Sequence, residues 1–135
     1  MSAPLPAVRA FLIADAVLQD RLTRKWTIVN VFDQIFAPQF PCVHPSMALY
    51  VKLADARGRY TVRVELRDAA DALLSKIEGI TVEAAGPARS AEFGVTAQGL
   101  PLKEAGRCQF QLFLNDEYAA AASLDIVQIQ PGTPA

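Results

Sequence analysis

Acyl or glycosyl transfer needs a nucleophile or a pair of carboxylates held beside a base, and this chain offers little of either. Its one histidine, His44, lies between Val43 and Pro45 in a proline-rich stretch. Cys42 is two residues away, the nearest the sequence comes to a thiol–imidazole pair, and no flanking feature of a thiol enzyme accompanies it. There is no GxSxG elbow, and Ser46, Ser75, Ser90 and Ser123 have no base nearby in sequence. Asp15, Asp20 and Asp33 would converge if the first two strands paired, and three carboxylates suit calcium. The competing reading is that Asp15 and Asp33 end strands and accept backbone N–H bonds at turns. Asn115-Asp116-Glu117 has the chemistry of a hairpin tip, and the seven glycines are scattered rather than gathered into a phosphate-cradling loop. The residues therefore point to no catalytic group, no metal and no cofactor, and the chain reads as a non-enzyme.

One segment stands apart. Phe32-Asp-Gln-Ile-Phe-Ala-Pro-Gln-Phe-Pro41 carries three phenylalanines and two prolines. A plain loop would be polar and would not hold this much aromatic area. Phe32, Phe36 and Phe40 either plug one open end of the fold or present a partner surface. The candidate interaction surface is Trp26, Gln34, Phe36, Phe40 and His44. Trp26, Tyr50 and Tyr118, with the loop phenylalanines, are also the rings that could stack on a small molecule or a sugar.

The elements that must position these residues read as strands. Met47, Leu49, Val51 and Leu53 alternate with Ala48, Tyr50 and Lys52, and Tyr60, Val62, Val64 and Leu66 alternate with Thr61, Arg63 and Glu65. Period two with one wet face marks strands. The short loop Asp55-Ala-Arg-Gly58 between them predicts an antiparallel hairpin. Asp68 to Asp71 is a turn into a strand reaching Val82, which Gly79 interrupts as a bulge would. Ala91, Phe93, Val95 and Ala97 share a face. Cys108, Phe110, Leu112 and Leu114 point inward, and Tyr118 starts a return strand to Ile129. Ala10–Ala14 and Trp26–Phe32 are apolar on both faces, as strands covered on both sides are. They read as central strands whose outer face meets a loop, a helix or another subunit. Asp15 to Arg24 fits a short helical turn or a strand extension. Ala119 to Ala122 reads as a small-residue edge that another backbone can approach.

Composition narrows the partners. A chain of 135 residues is one domain by size. Its net charge of −1 lacks the cation cluster that nucleic acid requires, since the densest basic stretch is only Arg21, Arg24 and Lys25. No run approaches the roughly 20 apolar residues of a membrane helix, and the N-terminus lacks a secretory signal, so the default compartment is cytoplasmic. Cys42 and Cys108 have no zinc or redox spacing, and pairing between them depends on how closely the backbones approach. Residues 1–7 and 131–135, rich in proline and glycine, read as a flexible leader and a flexible tail around a single domain at 8–130.

Ala10-Phe-Leu-Ile-Ala-Asp15, Ile28-Val-Asn-Val-Phe-Asp33, Ile35-Phe-Ala-Pro-Gln-Phe-Pro41, Gly99-Leu-Pro-Leu, Gly106 and the Phe110–Glu117 hairpin together resemble a family of small uncharacterised bacterial proteins, a domain of unknown function. The resemblance covers about residues 8–130 and implies no activity, ligand or site residue. Asn30 stands where a small residue such as glycine is more typical of that family. The expected fold is all-β: an antiparallel two-sheet sandwich of seven or eight strands, immunoglobulin-like in the broad sense. The expected function is a non-enzymatic interaction or assembly module, acting through a protein partner or self-association, with neither nucleic acid nor membrane. A small-molecule or carbohydrate-binding module is the alternative. A hydrolase built on Asp15 and Asp33, or on Cys42 and His44, ranks last.

Overall fold

The alternating runs become long strands in a computed structural model that describes residues 5–84 and 90–130. The strands are β1 Ala7–Gln19, β2 Trp26–Val31, β3 Gln34–Ala37, β4 Cys42–Ala54, β5 Gly58–Asp68, β6 Leu73–Ala84, β7 Ala91–Leu102, β8 Gly106–Leu114 and β9 Glu117–Gln128. They form two sheets, ordered β2-β1-β4-β7 and β3-β9-β8-β5-β6. The described residues include no helix, and none is therefore long and apolar enough to cross a membrane. Both sheets feed one apolar cluster: Met47, Leu49, Val51, Phe93 and Val95 from the first, Val62, Val64, Phe110, Leu112 and Leu124 from the second.

Four expectations need correction. The described strands number nine, not seven or eight, because the aromatic segment supplies β3. Ile35 and Ala37 are buried while Gln34 and Phe36 are exposed, so four residues suffice for a strand with one covered face. The fold is also not wholly antiparallel, since β3 runs parallel to β9, Gln34 opposite Asp125 and Ala37 opposite Gln128. Next, β4 and β5 are not a hairpin. β4 pairs with β1 and β7, and β5 pairs with β6 and β8, in the other sheet. A one-sided apolar pattern says that a face is buried; it does not say whether the next strand lies beside it or across the core. Asp55 adopts φ 56 and Ala56 is buried, which carries the chain from one layer to the other. Finally, β2 is an edge strand of its sheet and not a central one.

Other features fit the sequence directly. β1 extends to Gln19, so Ala16 to Gln19 continue the strand. The Cys108–Ile129 region is a hairpin whose tip residues Asn115 and Asp116 both have positive φ, the backbone a tight two-residue turn demands. The register of β5 on β6 shifts opposite Gly79, whose φ is 84. β9 has β8 on one side. β3 covers only its Asp125–Gln128 stretch, so Ala119–Ala122 lack a paired strand on the far side among the described residues. At the termini, Pro6 is buried and Leu5 packs on the core, although the expected leader ran to residue 7. Residues 1–4 and the expected tail 131–135 lie outside the described residues.

Candidate functional site

The doubly apolar character of β1 and β2 has a geometric cause. β1 stays on β4 only as far as Ala14, opposite Ala48, and then continues with β2 alone, Gln19 opposite Trp26. A Cβ added at Gly94 would sit 3.0 Å from Val17 Cγ1 and 3.4 Å from Trp26 Cζ3. Gly94 is on β7, which β4 separates from β1. The far half of the β1–β2 hairpin therefore lies over the outer face of its own sheet. It buries Ala48 and Tyr50 there, and the Trp26 ring meets Tyr50 edge-on at 5.8 Å. The Tyr50 hydroxyl donates to Glu92, and burial, followed by that bond and the carboxylate's charge, pushes the phenol well above its ordinary value. Trp26 is thus a lid on a small second core.

The other end of β2 is open. Asp15 and Asn30 face each other across the ladder, between the pairs Ala14–Val31 and Ala16–Val29. The Asn30 side-chain amide donates to Asp15 Oδ2 at 2.8 Å. Asn30 has φ 55, the left-handed conformation for which glycine and asparagine are the usual occupants. Past Val31 the chain leaves one sheet for the other. Phe32 N–H donates to the Ile13 carbonyl at 2.9 Å, and Asp125 N–H donates to the Asp33 carbonyl at 2.8 Å. This crossing holds open a groove of about 330 Å³ lined by Asp15, Asn30, Val31, Phe32, Gln34, Ile35, Phe36 and His44.

His44 reaches the groove because β4 changes phase. From Met47 to Leu53 the odd-numbered residues are buried; nearer the start, Cys42 and His44 are the more covered and Val43 is exposed. Opposite them Leu100 and Leu102 are buried, beyond Gly99 with φ 64. The His44 ring lies 6.1 Å from that of Phe32. Its Nε2 is the one buried side-chain nitrogen or oxygen without a hydrogen-bond partner among the described residues.

Of the five candidate surface residues, Gln34, Phe36 and His44 share this groove. Phe40, like Phe32, packs against the core, and Trp26 closes the opposite end of the hairpin. The aromatic segment divides: Phe32 and Phe40 plug, while Phe36 is 42% exposed. Asp15, Asn30 and Val31 were missed as members of this surface. The signal for Asn30 was present as an asparagine in place of the family's small residue.

The other candidates do not assemble. No group of three metal-ligating side chains occurs among the described residues. Asp20 is at the hairpin tip, where it accepts from the N–H groups of Leu22 and Thr23 at 2.8 Å each, and those bonds, Thr23's first, lower its pKa. Cys42 and Cys108 are unpaired, and burial, with Asp68 and Asp125, raises the Cys108 thiol. On the second sheet Glu65 is 8% exposed, held by Arg67 at 2.8 Å and Arg63 at 2.9 Å. Burial would raise its carboxyl, but the two guanidiniums outweigh that and hold it below the usual range.

A family of unknown function (DUF6941) matches residues 9–127, and the chain belongs to that family. No curated protein matches the sequence. Among solved structures, the chain is similar to Pseudomonas fluorescens alkylpurine DNA glycosylase AlkC bound to DNA containing an abasic site analog. The TM-score is 0.52 at 10% identity, over 87% of this chain and 30% of that one. The chain thus spans under a third of the glycosylase's length, and the likeness is one of fold alone. It also matches the sensor domain of the anti-sigma factor RsgI4 of Pseudobacteroides cellulosolvens at TM-score 0.40 and 12% identity, over 73% of this chain and 92% of that one.

Proposed function

Starting from a chain whose family has no assigned activity, we propose a non-enzymatic interaction module, an immunoglobulin-like sandwich that binds a protein partner through the open end of β2. The observation that carries this reading is exposure on a rigid frame. Val31 is 58% exposed and Phe36 42% exposed on β2 and β3, each hydrogen-bonded into its own sheet, where they line one groove with Asn30, Gln34 and Asp15 as a polar rim. Apolar residues at the centre and polar ones at the edge are the usual make-up of a recognition patch. Strands hold them without the ordering loss of a loop. The reading keeps the protein cytoplasmic, with no nucleic-acid or membrane partner. The DNA of the glycosylase complex is not carried over, because the one charged residue of this groove is an aspartate.

The test compares wild type with Val31→Asp and Phe36→Asp, crosslinked in native lysate, with sedimentation at micromolar concentration for self-association. Partners, or a homo-oligomer, that wild type forms and both variants lose support the reading. A strict monomer with no partner, or the same partners on the variants, defeats it.

A small-molecule or carbohydrate-binding module remains the second reading, on fewer rings. Tyr50 is buried and Trp26 lies on it, so neither is a free platform. Tyr118, 55% exposed and edge-on to Phe113 at 6.0 Å, and Phe36 are the stacking faces still open.

A further inference from the structure

The groove at the open end of β2 has a charge pattern that selects a class of group. Its lining includes one ionised side chain, the Asp15 carboxylate, and no cation. The remaining polar groups are two side-chain amides and an imidazole, each with acceptor capacity. Asn30 donates its N–H to Asp15 Oδ2, which fixes the carboxylate and leaves its other oxygen and the Asn30 carbonyl oxygen to accept. Gln34 is exposed beside them. The walls are the rings of Phe32 and Phe36 with Val31 and Ile35. A carboxylate among carbonyl oxygens, next to aromatic faces, favours a donor-rich planar cation. Such a cation can bond the carboxylate in bidentate fashion while its plane stacks on a ring.

The groove's 330 Å³ lies near the lower end of ligand pockets, which run roughly from 300 to 1,000 Å³. That is room for one long side chain and little more. A second observation points the same way. His44, whose Nε2 is buried without a partner, lines this groove, and in the tautomer with its proton on Nδ1 that nitrogen accepts an incoming N–H group.

We infer that this groove receives the guanidinium of an arginine side chain presented by a separate protein partner, with Asp15 as its counter-ion and Phe36 as its stacking face. The inference rests on the interaction-module reading and names the chemistry of that same surface. The neighbouring cations Arg21, Arg24 and Lys25 sit at the hairpin tip, the end of the hairpin remote from the groove, and do not compete for Asp15.

The test uses the whole chain and N-acetyl-arginine amide as probe, followed by proton–nitrogen NMR, with N-acetyl-citrulline amide as the neutral isostere. Saturable shifts are expected at the side-chain amides of Asn30 and Gln34, at the His44 ring and at the backbone of Asp15 and Phe36. The apparent affinity should fall at least tenfold with citrulline and with Asp15→Asn, and severalfold with Phe36→Ala. Phe36 is exposed, so its truncation keeps the test valid if Asp15→Asn disturbs the hairpin. No saturable shift at tens of millimolar probe, equal shifts from citrulline, or shifts that ignore both variants would overturn the inference. So would a dimer in sedimentation that Arg24→Gln dissolves, since the donor would then be a second copy. The two levels separate cleanly. If Val31→Asp and Phe36→Asp abolish partner capture but the arginine probe does not bind, the guanidinium inference falls and the module reading stands. If the probe binds but those variants capture the same partners, the module reading falls.

Discussion

At one end of β2, Trp26 lies edge-on to Tyr50 and closes over Gly94; at the other, Val31 and the nearby Phe36 face solvent. Trp26, Val31 and Phe36 are all large and apolar, and Trp26 and Val31 belong to one largely apolar strand. The difference comes from what lies beneath. β1 leaves β4 after Ala14, so the far half of the hairpin can lie on the sheet and cover Ala48 and Tyr50 on its outer face. The near half is where the chain crosses to the second sheet, and there Val31 and Phe36 stay exposed. Hydrophobicity alone therefore does not say which apolar residues are covered and which, like Val31 and Phe36, stay exposed.

Four measurements sharpen or break this contrast. The largest effect is expected at the lid. Trp26→Ala should destabilise the protein by about 3 kcal/mol, near the low end for truncating a large aromatic because Trp26 is half-buried, as read by denaturant unfolding. The same variant should lower the Tyr50 phenol toward the ordinary range of a tyrosine in a spectrophotometric titration, since burial is the main cause of its rise. The sign follows from the raised folded value. The stability linked to Tyr50 is full below about pH 10, the unfolded value, and is lost as pH rises above it. An unchanged Tyr50 titration would mean that Trp26 is not the cover.

Next, Gly94→Val should cost about 2 kcal/mol by overpacking against Val17 and Trp26, whereas Gly94→Ser should cost less. Tolerance of valine would show that the hairpin lifts freely. Third, Asn30→Val should cost about 1–2 kcal/mol because a β-branched residue resists the left-handed backbone, while Asn30→Gly should change stability by only a few tenths. Equal losses in the two variants would locate the value of Asn30 in its bond to Asp15, which both remove. The smallest effect on stability belongs to the open end: Phe36→Ala should fall within about 1 kcal/mol of wild type. A loss comparable to that of Trp26→Ala would erase the distinction between lid and surface.

Much of the fold was legible because period-two patterning has a direct cause. Met47 to Leu53, Tyr60 to Leu66 and Cys108 to Leu114 each place alternate residues in the core, and all three runs proved to be strands with those faces buried. The Asn115-Asp116 tip also announced its hairpin, since turn chemistry is local. The β4–β5 connection was misread because pairing beside and facing across a core bury the same residues. The site was half legible. Gln34, Phe36 and His44 were grouped from composition, and they do share a groove. Trp26 and Phe40 were grouped with them on the same ground and do not belong there. Asp15 comes to the groove only through its register with Asn30, a pairing fifteen residues apart in sequence.

The sequence by itself determined an all-β chain, the identity of most core faces and the segment in which regular patterning breaks down. These follow from rules that act between neighbours two to four residues apart. Only the tertiary structure decided which apolar strand would be roofed and which left open. That choice depends on where β1 parts from β4, on β3 crossing to run parallel with β9, and on the phase change in β4 that turns His44 inward. Each is a long-range packing outcome, in which burial is shared among strands far apart in the chain, and no local pattern encodes how it is shared.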